Sequence, residues 1–192
     1  MHVAIVIPAL NEEKGIAWVL NRIHYTLRGK NYHMLVVDGG STDRTVEIAK
    51  IKGAEVISQN GRGYGDAYIK GFKYALEKYA LDIMVMLDAD GTYDPAEIPS
   101  LINPIVKNEA DVVIGSRFKG QIKKDAMSWL HRYVGNPILT KFSNLFYKVG
   151  ISDAHCGFRA IEKCSREAKA KISWNRIRHR SAHRNNQEEI KS

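Results

Sequence analysis

The chain has 192 residues, 44% of them hydrophobic and 26% charged, which is the balance of a soluble globular protein with one proper core, or a core plus an appendage. No apolar run approaches the roughly 20 residues needed to span a bilayer, and the opening MHVAIVIPALNEE lacks the basic leader, apolar segment and cleavage site of a secretory signal. The net charge of +8 is uneven: residues 160–192 hold nine Lys/Arg against four Glu, a surplus of +5, leaving only +3 for the rest. A basic surface for nucleic acid or anionic membrane is therefore expected in that tail or not at all, and the body gives little support for nucleic acid.

The elements alternate from the first residue. HVAIVIP is a short apolar run closed by Pro8, and NEEKGIAWVLNRIHYTLRG places Ile16, Val19, Leu20, Ile23 and Leu27 on one helical face. HMLVVDG is the next strand, after which Ser41, Thr42 and Asp43 cap a helix running to about Lys52. AEVIS is a third strand, YGDAYIKGFKYALEKYA a helix, DIMVMLDAD a strand, PAEIPSLINPIVKN a helix and ADVVIGSRF a strand. This rhythm predicts an α/β fold with a mostly parallel sheet covered by helices. Beyond Phe118, Trp129, Tyr133, Ile138, Phe142, Leu145 and Phe146 make one or two amphipathic helical stretches with Lys and Arg interleaved. Such a helix packs on the sheet or rests on lipid.

In sheets of this kind, ligands sit beyond the carboxyl ends of the strands. Four polar signatures fall there: Pro8-Ala9-Leu10-Asn11-Glu12, Asp38-Gly39-Gly40-Ser41, Asp88-Ala89-Asp90 and Gly115-Ser116-Arg117. The third asks for an explanation, because the apolar run Met84–Leu87 ends on three carboxylates, Asp88, Asp90 and Asp94, within seven positions. Clustered carboxylates repel, and burying them is costly unless a positive charge compensates. Water at a strand-end turn is one answer. A divalent cation held in a cleft is the other.

Three features converge on a nucleotide diphosphate. Asp38 ends a strand, where a carboxylate can accept hydrogen bonds from a base or ribose. Gly61, Gly63 and Gly65 in NGRGYGDAYIKG provide backbone that a ligand can approach closely. Asp88 and Asp90, in a D-x-D arrangement, can bridge a hard cation such as Mg²⁺ or Mn²⁺ to a pyrophosphate. Each feature alone is weak; their spacing and common placement are more specific.

With these residues in place, the chain resembles the family 2 glycosyltransferases of the GT-A fold, a Rossmann-like nucleotide-diphosphosugar transferase architecture. More narrowly it is similar to their polyprenyl-phosphate branch, which includes dolichyl-phosphate mannose and glucose synthases. The matching segments are VIPALNEE, VVDGGSTDRT, GRGYGDAYIKGF, MLDADGTYDPAEI, VIGSRF and DAHCGFRA, which run from residue 3 to 161 in the family's order. The resemblance implies that Pro8, Ala9, Asn11, Glu12, Asp38, Gly65, Asp88 and Ala89 hold the donor nucleotide. It implies Asp88 and Asp90 as the residues carrying metal and diphosphate, and Arg117 and Arg132 as those meeting the acceptor phosphate. Asp153 falls at the acidic position assigned to acceptor activation or sugar binding, so the catalytic set is Asp90, Asp153 and Arg117. Where many relatives carry Gln two residues after the D-x-D, this chain has Thr92, which leaves the third metal ligand open between Thr92, Asp94 and water.

The expected reaction moves a sugar from a UDP- or GDP-linked donor to a polyprenyl phosphate, with inversion. A lipid phosphate is already anionic at neutral pH and needs orientation and screening rather than a general base, which suits Arg117 and Arg132. A saccharide hydroxyl as acceptor would instead require Asp153 as base. A metal-dependent nucleotidyltransferase is a further alternative, although it favours a basic glycine-rich loop after the first strand, where this chain has PALNEE. A nucleic-acid binder acting through the basic tail is the non-enzymatic one. The expected setting is cytoplasmic, with peripheral contact at the membrane face.

Simpler roles are expected for several polar residues. Asp43 reads as a helix cap, Asp66 as a solvated or helix-start residue, and Asp94 as either a turn initiator or a metal ligand. Arg132 is open between acceptor contact and ordinary surface charge. Trp18 and Trp129 read as packing residues. His155 and Cys156 are adjacent without further ligands, and neither Cys156 nor Cys164 lies in a metal-type spacing.

The pattern changes after Ile161, so residues 1–161 are expected to form the catalytic domain and 162–192 a basic, disordered tail. A frameshift is one explanation. Permitted codons for Lys169 to Arg184, read one nucleotide later, can encode KLKSPGIEFAIDLLIE, an amphipathic helix with the approach expected of the family. Sequencing the gene from an independent isolate tests this.

Overall fold

The computed structural model describes residues 1–59, 61, 63–116 and 156–163. Within them the chain runs β1 (His2–Ala9), α1 (Glu13–Thr26), β2 (Asn31–Asp38), α2 (Thr45–Ile51), β3 (Glu55–Ser58), α3 (Tyr64–Lys78) and β4 (Ile83–Met86). A 3₁₀ turn (Pro95–Glu97) then leads into α4 (Ile98–Val106), followed by β5 (Val112–Ile114) and, after the residues not described, β6 (Arg159–Glu162). Arg117, Arg132 and Asp153 lie outside the described residues, as do the amphipathic stretches beyond Phe118 and the tail after Lys163.

The six strands form one sheet in the order β3-β2-β1-β4-β6-β5. β1 lies centrally and pairs in parallel with β2 and β4, and β2 pairs in parallel with β3. β6 is antiparallel to both β4 and β5. The expected α/β architecture with a mostly parallel sheet is therefore what forms, with one reversed strand inserted. That strand, Arg-Ala-Ile-Glu, was not anticipated from the sequence, and it ends one residue past the boundary drawn at Ile161.

A central parallel strand is covered on both faces, so it reads as an almost unbroken apolar run. In β1 the alternate residues Val3, Ile5 and Ile7 pack on the side of α1 and α4, against Ile16, Leu20, Ile98 and Leu101. Ala4 and Val6 face the other way, with Leu35, Val37 and the α3 residues Ala67, Tyr68 and Ala75. The helical face expected on α1 is buried throughout, with Ile16, Val19, Leu20, Ile23 and Leu27 each at most 1% exposed. Pro104 lies inside α4 and removes one helical donor.

The register sets the site. Ala9 pairs with Asp38, and Asp38 with Ser58, so β1, β2 and β3 finish level with one another. β4 runs in the same direction beside β1. The amide of Leu87 donates to the Val6 carbonyl at 3.2 Å, which carries the chain along β1 into the D-x-D.

Candidate functional site

A cleft of about 590 Å³ opens at the carboxyl ends of these strands. Pro8, Ala9, Glu12, Asp88 and Ala89, five of the eight residues expected at the donor nucleotide, border it together with Asp90 of the expected metal pair. Leu10, Gln59, Gly61, Gly63 and Tyr64 supply much of the remaining wall. Asn11, Asp38 and Gly65 do not border it. Gly65 falls inside the first turn of α3, and the loop glycines on the cleft are Gly61 and Gly63.

Asn11 and Asp38 build the loops behind the wall. The Asp38 side chain, in a residue only 8% exposed, accepts from the amides of Gly40 and Ser41 at 3.1 Å and so shapes the turn after β2. Asn11 Oδ1 accepts from the Thr42 amide at 2.8 Å, while the Asn11 amide donates to Ser41 Oγ at 3.0 Å. The loops after β1 and β2 are thereby tied together. Thr45 and Asp43 extend the tie: Thr45 Oγ1 accepts from the Glu12 amide at 2.8 Å, and Asp43 accepts from the Glu13 amide at 3.1 Å. Asp43 also accepts from the Thr45 amide at 2.9 Å. Its expected capping role therefore serves both α1 and α2, supplying partners to amides that a helix start leaves without one. The Thr45 hydroxyl, followed by these amide bonds, holds the Asp43 carboxyl below its ordinary range.

α1 approaches the D-x-D more closely than any side chain would allow. A Cβ at Gly15 would lie 2.5 Å from the Ala89 carbonyl oxygen and 3.0 Å from the Asp90 backbone. Asp90 is then gripped by one residue: the Thr92 amide donates to Oδ1 at 2.8 Å and the Thr92 hydroxyl to Oδ2 at 2.7 Å. Asp94 turns to other partners, pairing with Arg22 Nε at 3.1 Å and capping the 3₁₀ turn through the Ala96 amide at 2.9 Å. Asp66 accepts from the Gly61 amide at 2.9 Å and so fastens the glycine loop to the start of α3.

Asp88 is engaged from α3. Tyr64 Oη donates to Asp88 Oδ1, and Tyr68 Oη reaches the same oxygen at 3.3 Å. The rings of the two tyrosines meet edge to face, 4.9 Å apart. Burial and the Asp88 charge both raise the two phenols well above their ordinary range, so they remain protonated donors. From the segment just before β6, Gly157 closes on the same group and its amide donates to Tyr93 Oη at 3.0 Å. These tyrosines and Gln59 were missed from sequence, since no local pattern connects Tyr64 to a carboxylate 24 residues later.

Negative charge accumulates here. The Glu12 carboxyl is raised above its usual value by burial, then by Asp90, Asp43 and Asp88. An oxygen-only cluster of this kind suits a hard divalent cation. Among the described residues, no three His, Cys, Asp or Glu side chains stand close enough to cage a metal alone. A cation held by Asp88 and Asp90 would complete its shell with ligand oxygens and water, as Mg²⁺ commonly does.

The profile described as Glycosyl transferase family 2 matches residues 4–167. The chain belongs to this family. It is 46% identical over 161 residues to the low-salt glycan biosynthesis hexosyltransferase Agl6 of Haloferax volcanii, a match that covers 83% of this chain and 38% of that protein. It is 34% identical over 178 residues to the UDP-N-acetylglucosamine–dolichyl-phosphate N-acetylglucosaminyltransferase of Methanococcus voltae, covering 83% of this chain and 68% of that one. The chain thus spans well under half of the first relative and about two thirds of the second. Among solved structures, glucosyl-3-phosphoglycerate synthase of Mycobacterium tuberculosis, crystallised with Mn²⁺, UDP-glucose and glycerol 3-phosphate, aligns with a TM-score of 0.62 and 25% identity, over 83% of this chain and 56% of that one. The family 2 assignment accords with the α/β sheet and with the GT-A fold expected for it.

Proposed function

We propose that this family 2 chain is the donor-binding core of an inverting glycosyltransferase that moves a sugar from a nucleotide diphosphate to a polyprenyl phosphate. The observation that carries the reading is the convergence of Asp88 and Asp90, at the end of β4, with Pro8, Ala9 and Glu12, at the end of β1, on one cleft. The name of the Methanococcus voltae relative favours a lipid phosphate acceptor, and the Mn²⁺ and UDP-glucose of the mycobacterial structure favour a metal-assisted UDP donor.

In this reading Pro8 and Ala9 form the floor under the base, and the backbone at Gly61 and at Gly63 lets the nucleotide come close. Asp88 and Asp90 would hold Mg²⁺ or Mn²⁺, which would supply positive charge to neutralise that left on the departing nucleoside diphosphate. The Tyr64 and Tyr68 phenols fix the Asp88 carboxylate, and Thr92 fixes that of Asp90. The acceptor phosphate needs no base; it needs cationic side chains to screen it beside the donor, the role that the sequence suggests for Arg117 and Arg132. Asp153 remains the proposed acceptor-activating or sugar-binding carboxylate. No helix among the described residues is long and apolar enough to cross a membrane. Access to a lipid substrate is proposed to be peripheral, from the cytoplasmic face, because a polyprenyl phosphate presents its phosphate at the membrane surface.

Calorimetric titration with UDP and with GDP, in Mn²⁺ and in chelator, tests the donor site. The expected outcome is metal-dependent binding of one nucleotide that Asp90→Ala abolishes. Binding that is indifferent to chelator and to Asp90 would reject the reading. Competition between polyprenyl phosphates and oligosaccharides for the transferred sugar separates the lipid acceptor from a saccharide hydroxyl.

A further inference from the structure

Asp88 stands at a junction of four segments. Tyr64 and Tyr68 approach from α3 and donate to Oδ1. Gly157 approaches from the segment just before β6, so closely that a Cβ there would lie 2.8 Å from Tyr64 Oη and 3.1 Å from Asp88 Oδ2. Tyr93, after the D-x-D, accepts from the Gly157 amide at 3.0 Å and stacks on Phe158 with ring centroids 5.5 Å apart. The two tyrosines differ in setting: Tyr68 is 4% exposed and locked into the core, whereas Tyr64 is 52% exposed and lines the cleft.

A carboxylate at a strand end turns easily about its last bond, and a cation gains most from one already held in place. Two phenol donors on one oxygen stop that rotation. They also withdraw Oδ1 from competing geometries, because a carboxylate oxygen with two donors is poorly disposed to take a cation as well. We infer that Tyr64 is a positioning residue for the donor site, its hydroxyl holding Asp88 in the one orientation from which the carboxylate serves the metal–diphosphate unit, with Tyr68 as the buried anchor behind it. The inference rests on the donor-site reading above. Partners that orient a ligand in this way are commonly worth 10–100-fold in metal affinity.

Two measurements on the full chain test it. The first is Mn²⁺ affinity in the presence of UDP or GDP, followed by the electron paramagnetic resonance of free Mn²⁺. Tyr64→Phe keeps the ring and removes only the hydroxyl. It is expected to weaken Mn²⁺ binding by about 10–100-fold, and Tyr68→Phe, whose hydroxyl sits further from Asp88, is expected to weaken it less. The second measurement needs no metal: a thermal-unfolding cycle of Tyr64→Phe, Asp88→Ala and the double variant, alanine being used because asparagine would keep an oxygen able to accept the phenol. If the phenol holds the carboxylate, the two shifts are not additive, because either change breaks the same bond. Unchanged or tighter Mn²⁺ binding in Tyr64→Phe, or additive melting shifts, overturns the positioning role while leaving the donor site standing. Failure of the unmodified chain to bind Mn²⁺ with either nucleotide overturns the donor-site reading and this inference with it.

Discussion

Thr92 addresses both oxygens of Asp90, its amide donating to Oδ1 at 2.8 Å and its hydroxyl to Oδ2 at 2.7 Å. A residue that donates to a carboxylate with its only hydroxyl proton sets the direction of that carboxylate, and this is the role the geometry favours at the position where a third metal ligand was sought. Thr92→Val keeps the shape and the amide bond but loses the hydroxyl. It is expected to weaken Mn²⁺ binding in the presence of nucleotide by about tenfold, whereas Thr92→Ser, which retains the hydroxyl, stays close to the unmodified chain. Calorimetry on the pair measures this directly.

Asp94 leads to the opposite expectation. Its side chain pairs with Arg22 and accepts the Ala96 amide, so its work lies in joining α1 to the turn before α4. Asp94→Ala should cost about 1 kcal/mol of stability, the usual worth of a lost cap. The ion pair itself adds little at this exposure. Mn²⁺ affinity should change by no more than about threefold, well short of the loss expected when a metal-orienting group is removed. Thermal unfolding and Mn²⁺ titration of this one variant separate the two roles.

Much of this arrangement was legible in the sequence, for identifiable reasons. The buried face of α1 follows from a 3.6-residue period held from Ile16 to Leu27, and β1 from an apolar run that only a doubly covered strand sustains. The acidic strand end at Asp88 and Asp90 stands out because its charge contradicts the run before it. β6 was hidden because four residues, polar at both ends, carry too little alternation, and because its partners are distant in sequence: Met86 pairs with Arg159 and Ile114 with the same residue. The glycine loop was visible, but which glycines meet the cleft depends on α3 beginning at Tyr64, and that start turns Gly65 into helix. Asp43 was recognised as a cap from local pattern, while its second bond, to the Glu13 amide, depends on packing between helices.

At the far end of the sheet, Glu55 accepts from Tyr74, Tyr79 and Lys78. Burial alone would raise its carboxyl, but the Lys78 ammonium and the two phenols outweigh this and bring it down to about 2 from 4.5. The folded value lies below the unfolded one, so the contribution to stability is fully present above about pH 4.5 and is lost as pH falls toward 2. Glu55→Gln should therefore melt a few degrees lower at pH 7, with the gap to the unmodified chain narrowing through that window. Melting curves taken across the pH range check the sign; a gap constant with pH would contradict it.

Gly15 offers the sharpest link between packing and the site. A methyl group at this position meets backbone, the Ala89 carbonyl and Asp90, rather than a side chain that can swing aside. Either α1 shifts outward, disturbing the buried face around Ile16 and Val19, or the D-x-D is pushed toward the cleft. Overpacking of this kind typically costs about 1–3 kcal/mol. Gly15→Ala should accordingly lower the melting temperature. It should also weaken metal-dependent nucleotide binding at temperatures where the variant is still folded, because the displaced segment carries both Asp88 and Asp90. A variant that is destabilised yet binds Mn²⁺ and nucleotide normally would show that α1 yields and that the D-x-D holds its position independently of the helix.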